Sequence, residues 1–221
     1  MNTINTGRDS MGQPYYCTKA DLLEGCYHEM GHVLATLHFF PKDGRIVGIQ
    51  FAKNYSGCLF ENFNTIYNSY QWSFPSQKDA FTIICIGGGI FQQMKLIYNN
   101  SNCRKKGFNL IEKLQAIFNP DKALLHLFKR KVKSEIDGME IDLDDLRKNY
   151  QLMLSWGLIE KDVDLEPYRI KAISLFFPFV KNKKIDALCD DFCNKILNQA
   201  KTNCNSIYCL LDIKKISKAI E

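Results

Sequence analysis

No uninterrupted apolar run in the 221 residues approaches the ~18–20 needed to cross a bilayer as a helix. The longest, Phe81–Phe91 (FTIICIGGGIF), is far shorter, and Ile173–Val180 is broken by Pro178. A direct membrane span is therefore not expected. The N-terminal MNTINTGRDSMGQPYY has no apolar signal core, which leaves a cytoplasmic protein as the expectation. One-sided charge is lacking too. The 29 Lys+Arg oppose 24 Asp+Glu for a formal +5, too mild to argue nucleic-acid binding. The short runs Arg104-Lys105-Lys106 and Lys129-Arg130-Lys131 read as solvated helix faces, so no nucleic-acid partner is expected. There is no internal repeat and no Pro/Gly/Ser-rich linker, so residues 1–221 are expected to form a single domain. Gly87-Gly88-Gly89 is not followed by Gly-Lys-Ser/Thr, which excludes a phosphate loop there, and no such loop is found elsewhere.

What is present begins with core material: 46% apolar residues, 12% aromatic and 24% charged exclude wholesale disorder. Nine cysteines, an odd number in a chain with no apolar leader, suggest reduced thiols rather than a disulfide scaffold. Cys189/Cys193 and Cys204/Cys209 have three and four intervening residues rather than the two of a zinc knuckle. Buried helical thiols explain them as well as a metal does.

Thr18 with Asp21 three residues on is a capping-box pattern, and apolar periodicity then runs to Phe39 before Pro41, giving a long first helix, Thr18–Phe39. Arg45–Ala52 and Gly57–Phe63 alternate like strands around the turn-rich Lys53–Ser56, so a small sheet is expected beside that helix. Ser76 with Asp79 opens a second helix, about Gln77–Tyr98, in which the three glycines allow close backbone packing. Beyond the polar loop at Asn99–Lys106, helical periodicity recurs in Phe108–Phe118, Asp121–Ser134, Asp142–Trp156, Pro167–Phe176, Lys184–Gln199 and Ile207–Ile220. The expected class is mainly α (α+β), with a helical C-terminal half.

The chemistry lies in Tyr27-His28-Glu29-Met30-Gly31-His32, an H-E-x-x-H motif in the middle of the first helix. Residues four apart stack one above the other, so His28 and His32 can present both imidazoles to one zinc ion. Glu29, beside the first ligand, is placed to act as general base on water at the metal. With four His and nine Glu in the chain, chance placement gives this motif in on the order of 0.3% of such sequences. The competing reading, two solvated or core histidines, predicts an ordinary helix with no third ligand within reach.

A third ligand must come from elsewhere. His38 lies ten residues after His28, but Ala35 stands where H-E-x-x-H-x-x-G-x-x-H sites use glycine to turn the chain. On a continuing helix His38 is rotated by ~280° and displaced ~15 Å from His28, out of reach of a shared metal. Glu61 would suit sites that recruit a downstream glutamate, but it lacks the helical context those sites supply.

An ordered series of segments resembles the peptidase domain of the FtsH-type, AAA-associated zinc metallopeptidases. Tyr27–His32 is similar to that family's Y-H-E-A-G-H. Ile46–Phe51 and Gly57–Phe60 are similar to its K-V-T-I-I-P and Gly-led strands, and Ile86–Met94 resembles L-G-G-R-A-A-E-E-L. Gly138-Met139-Glu140-Ile141-Asp142-Leu143, with Met153 beyond, resembles G-A-x-N-D-L…M. The resemblance covers about Asp21–Gly157. It implies a zincin-like helical fold and makes Asp142 the third zinc ligand; read from position alone, Asp142 is a first-turn acid like Asp144 and Asp145. Departures are Gln92 and Gln93 in place of paired glutamates, Ile141 in place of asparagine, and a helical insertion at residues 99–137. In this layout residues 18–98 hold the active-site helix, the sheet and the Gly-rich helix, and 138–221 carry the third ligand.

The function so implied is ATP-independent, zinc-dependent endopeptidase activity on extended or unfolded polypeptides, with Zn2+ as cofactor. Metal ligands would be His28, His32 and Asp142, and Glu29 the catalytic base. An extended substrate would add to the sheet edge at Gly57. The alternative is a non-catalytic, zinc-stabilised pseudo-peptidase acting as an interaction module. A homo-oligomer and a separate partner that delivers substrate both remain open.

Overall fold

The computed structural model describes residues 4–8, 14–40, 46–52, 55–60, 75–104, 108–133, 140–155, 163–200, 206–210 and 213–220. The backbone gathers into two compact units, one of Met1–Ser69 with Asn182–Glu221 and one of Tyr70–Lys181.

In the first unit, helix α1 (Lys19–Phe39) starts at a reciprocal cap. The Thr18 hydroxyl accepts from the Asp21 N–H at 3.2 Å, and the Asp21 carboxylate accepts from the Thr18 N–H at 2.6 Å. The bond from the Thr18 backbone holds the Asp21 carboxyl below the ordinary carboxylate range. From Cys26 to Leu37 nearly every residue is buried, as expected of a helix whose apolar residues run around its whole circumference. The helix ends at Phe40, the residue before Pro41, where proline disfavours helical backbone.

α1 lies against a second helix of that unit, Lys183–Ala200. That helix buries Ile185, Cys189, Phe192 and Cys193, a stripe at helical spacing. The Cys26 and Cys193 sulfurs are 3.5 Å apart, and the Tyr27 hydroxyl donates to Asp186 at 3.4 Å. Asn182 caps the same helix: its side-chain oxygen accepts from the N–H groups of Lys184 and Ile185. Its amide nitrogen donates to the Ala219 carbonyl at 2.8 Å, tying in the last helix, Ile213–Ile220.

The second unit is built on α2 (Pro75–Arg104). It is followed by α3 (Leu110–Phe118), α4 (Pro120–Lys131), α5 (Glu140–Ser155) and α6 (Glu166–Val180), and the helices of the first unit after α1 become α7 (Lys183–Ala200) and α8 (Ile213–Ile220). Phe91 of α2 meets Phe176 of α6 with ring centroids 5.5 Å apart. Lys95 is wholly buried and donates to the Val180 carbonyl at 2.7 Å, a cation at the C-terminal end of α6 where the helix dipole favours one. Lys78–Asn100 is long and apolar enough to cross a bilayer by length and composition, but 72% of that window is buried inside the protein.

Polar ties close the unit. Asp79 accepts from Tyr168 at 2.8 Å and Lys171 at 2.9 Å; burial works to raise its pKa, and these bonds outweigh it, leaving the carboxyl below its ordinary value. Arg169 donates to the Lys129 and Val132 carbonyls at 2.9 and 2.8 Å, satisfying the open end of α4, while Glu166 holds the guanidinium from behind.

The class is helical, which corrects the α+β expectation. Among the residues whose side chains are described, 90% are helical and none lies in a strand, so the small sheet expected beside the H-E-x-x-H helix is not seen there. Extended backbone pairing is traced for Ile4–Arg8 with Pro14–Cys17, and for Ile46–Ala52 with Tyr55–Phe60 and Ser206–Leu210, but as backbone alone. Every core residue among those whose side chains are described sits on a helix or at a helix end. The helix expected over Ile207–Ile220 is also shorter: only Ile213–Ile220 is helical, and Ser206–Leu210, with Ile207 and Tyr208 favouring extended backbone, leaves the helical pattern.

Two outcomes follow from these ties. Arg169→Ala leaves two helix-end carbonyls without their donor and is expected to cost about 2–4 kcal/mol in urea denaturation, with Lys171→Ala, on the surface, costing under about 1. Asp21 and Asp79 have folded pKa values below their unfolded ones, so their stabilisation is complete above the unfolded value of about 3.9 and is lost as pH falls through the folded value. The stability of Asp79→Asn, followed by circular dichroism, should therefore fall less steeply between about pH 5 and 2 than that of the unaltered chain.

Candidate metal centre

One helical turn of α1 separates His28 from His32, and the structure brings their Nε2 atoms to 3.2 Å, with ring centroids 4.9 Å apart at 72°. Two nitrogen ligands at about 2.0–2.1 Å on a tetrahedral ion stand about 3.3–3.4 Å apart. The pair therefore already has the separation a shared ion requires. Without an ion, the same distance is an N–H···N bond in which one ring must carry its proton on Nε2. His32 is 8% exposed and His28 is half-buried, so both are held by the fold rather than waving in solvent.

The rigidity comes from α1's neighbours. Cys26 and Tyr27, immediately before His28, are held by Cys193 and Asp186 of α7, and the Thr36 hydroxyl donates to the His32 carbonyl at 2.8 Å. Burial pushes the Tyr27 phenol well above its ordinary pKa, so it remains a donor to Asp186 across the physiological range. These supports were not legible in the sequence. Their partners lie 159 and 167 residues away, and no spacing rule links them.

Asp142, in the first turn of α5, completes a group: its carboxylate and the two histidine nitrogens all lie within 4.8 Å of one another. His28, His32 and Asp142 could hold a metal ion, and no other group of three His, Cys, Asp or Glu residues with that potential is found among the described residues. Two imidazoles and one carboxylate are a donor set suited to a divalent metal ion. Comparison with protein-family models, with curated proteins and with solved structures found no match. The site's own geometry therefore carries the functional reading.

Glu29 follows His28 directly and is 1% exposed. Of the other candidates, His38 is exposed in the last turn of α1 with its ring against Phe39, and it does not join the group. Glu61 lies outside the described residues. Asp144, two residues after Asp142, is solvated and pairs with Arg147 at 3.5 Å, an ordinary i,i+3 pair on a helix surface. Cys189 and Cys193 are buried thiols that form no disulfide, whereas the side chains of Cys204 and Cys209 fall outside the described residues.

Gln93 explains one departure in the sequence. Its amide nitrogen donates to the Lys133 carbonyl at 2.9 Å, and its amide oxygen accepts from the Lys133 N–H at 3.0 Å. A glutamate carboxylate has no N–H and cannot make both bonds. Gln93 thereby fixes the chain leaving α4, a structural duty for a position that the resemblance fills with an acid.

Metal analysis of the purified chain checks the group. About one equivalent of divalent metal is expected, with His28→Ala and His32→Ala binding it at least about tenfold more weakly. Asp142→Asn is expected to weaken binding similarly; a variant retaining full affinity would remove Asp142 from the centre.

Proposed function

We propose that the chain is a zinc-dependent endopeptidase acting on extended or unfolded polypeptides. The observation that carries this reading is the Nε2 pair of His28 and His32 at 3.2 Å, with Glu29 adjoining His28 in sequence and Asp142 in the same group. The donor set suits zinc, which favours imidazole and carboxylate ligands in four-coordinate sites. When bound, the ion supplies Lewis acidity toward a scissile carbonyl and acidifies water at the site.

The residues of the chain do the rest. His28, His32 and Asp142 would hold the metal, and the carboxylate would offset part of its charge. Glu29 is the general base: its carboxylate accepts the proton of the attacking water and returns it to the nitrogen of the departing amine. Its burial keeps bulk water from competing for that proton. The resemblance to FtsH-type peptidases supports the same assignment of roles. A binding module held together by zinc would have no use for an acid at position 29.

Cleavage of a peptide library or an unfolded protein, assayed without nucleotide, tests the proposal. Activity should vanish on chelation and return with zinc. Glu29→Gln should lower turnover by at least about a hundredfold while metal content stays at the unaltered level. Turnover that survives this substitution would falsify the mechanism, and a chain that binds zinc yet cleaves nothing would instead be a non-catalytic module.

A further inference from the structure

Helix α3 is amphipathic in the reverse of the usual sense. Leu110, Ile111, Leu114, Ile117 and Phe118 are 51–84% exposed. At 100° per residue they occupy one arc of about 120°. The opposite side turns inward and carries Glu112, only 4% exposed.

This orientation is fixed by specific bonds. The Glu112 carboxylate pairs with Arg130 of α4 at 3.0 Å and accepts from the Asn109 N–H at 2.9 Å, while Asn109 accepts from the Glu112 N–H at 2.8 Å. Rolling α3 to bury its apolar arc would expose a capping box and break an ion pair whose acid is desolvated. The fold thus holds five large apolar side chains in water, a patch of the kind that marks an interaction surface.

Charge identifies the occupant. Residues 99–137 hold nine Lys/Arg and four Asp/Glu, a net +5 equal to that of the whole chain. Lys113 borders the apolar arc, and Lys122, Lys129 and Lys131 are exposed on the adjoining helix. A second copy would bring the same positive charge to the interface and be repelled. The arc is also a convex ridge of one short helix. A protein partner must supply a matching groove, whereas a bilayer makes no such demand of shape.

We propose that the outward face of α3 docks on the surface of an anionic lipid bilayer, with the apolar arc entering the headgroup boundary and the basic residues of 99–137 meeting the lipid charge. Docking of this kind is peripheral, requires no spanning helix, and does not depend on the metal centre.

Sedimentation of the full chain with phosphatidylcholine vesicles, with or without about 30% phosphatidylserine, tests it. Binding to the anionic vesicles is expected, weakened at least about tenfold in neutral ones and by raising salt to about 0.5 M. Ile117→Glu with Phe118→Ser should lower binding at least about tenfold, with circular dichroism and metal content unchanged because both side chains are already solvated. Should that variant misfold, Lys113→Glu and the salt titration of the unaltered chain provide the same reading. Failure to bind anionic vesicles overturns the proposal, as does binding indifferent to these substitutions. Self-association abolished by Ile117→Glu/Phe118→Ser without vesicle binding would assign the face to a second copy, and a protein partner captured without vesicle binding would assign it to that partner.

Discussion

The approach of two imidazole nitrogens to 3.2 Å depends on α1 holding its helical geometry where a polar pair would otherwise prefer water. Desolvating two histidines and a glutamate on consecutive turns is unfavourable in itself. The chain offsets it by making α1 apolar on nearly every other side, capping its start with Thr18 and Asp21, and pinning Cys26 and Tyr27 to α7. A helix fixed at its start and along one side leaves little freedom for the intervening turn. That restraint suits a metal centre, because a ligand pair already at its bound separation loses little entropy when the ion arrives.

The second unit shows the same economy at its helix ends. Lys95 meets the last carbonyl of α6, Arg169 meets the carbonyls at the end of α4, and Gln93 both donates to and accepts from Lys133. Each is a long polar side chain that satisfies backbone groups at or just beyond a helix end, Lys95 and Arg169 from buried positions. α3 stands apart, because its polar side is tied inward and its apolar side is presented to solvent. Stability alone would not select such an arrangement. It is a surface maintained against the hydrophobic effect by a cap and by an ion pair whose acid, Glu112, is buried.

Much of the helical layout was legible because it rests on local rules. The Thr18–Asp21 box, the period of apolar residues and the stop before Pro41 mark α1 to within a residue, and the same rules locate α2 through α7. The strand expectation for Arg45–Phe63 failed as a statement of fold class. Alternation reports a local preference, and class is set by which surfaces close the core, here helix against helix. Ile207–Ile220 failed for a related reason: short apolar runs do not distinguish helix from extended chain.

By itself the sequence determined the H-E-x-x-H helix, and with it that His28 and His32 share a face, because a period of 3.6 residues is a property of the backbone. It also carried Asp142 as a candidate only through resemblance, since a first-turn aspartate has no local mark separating it from Asp144. The structure sets them apart: Asp142 belongs with His28 and His32 to a group that could hold a metal ion, whereas Asp144 is exposed and pairs with Arg147. It also decided which way α3 faces and what Gln93 does. Such pairings join residues far apart along the chain, and their energies arise from burial and hydrogen-bond geometry that no local pattern encodes.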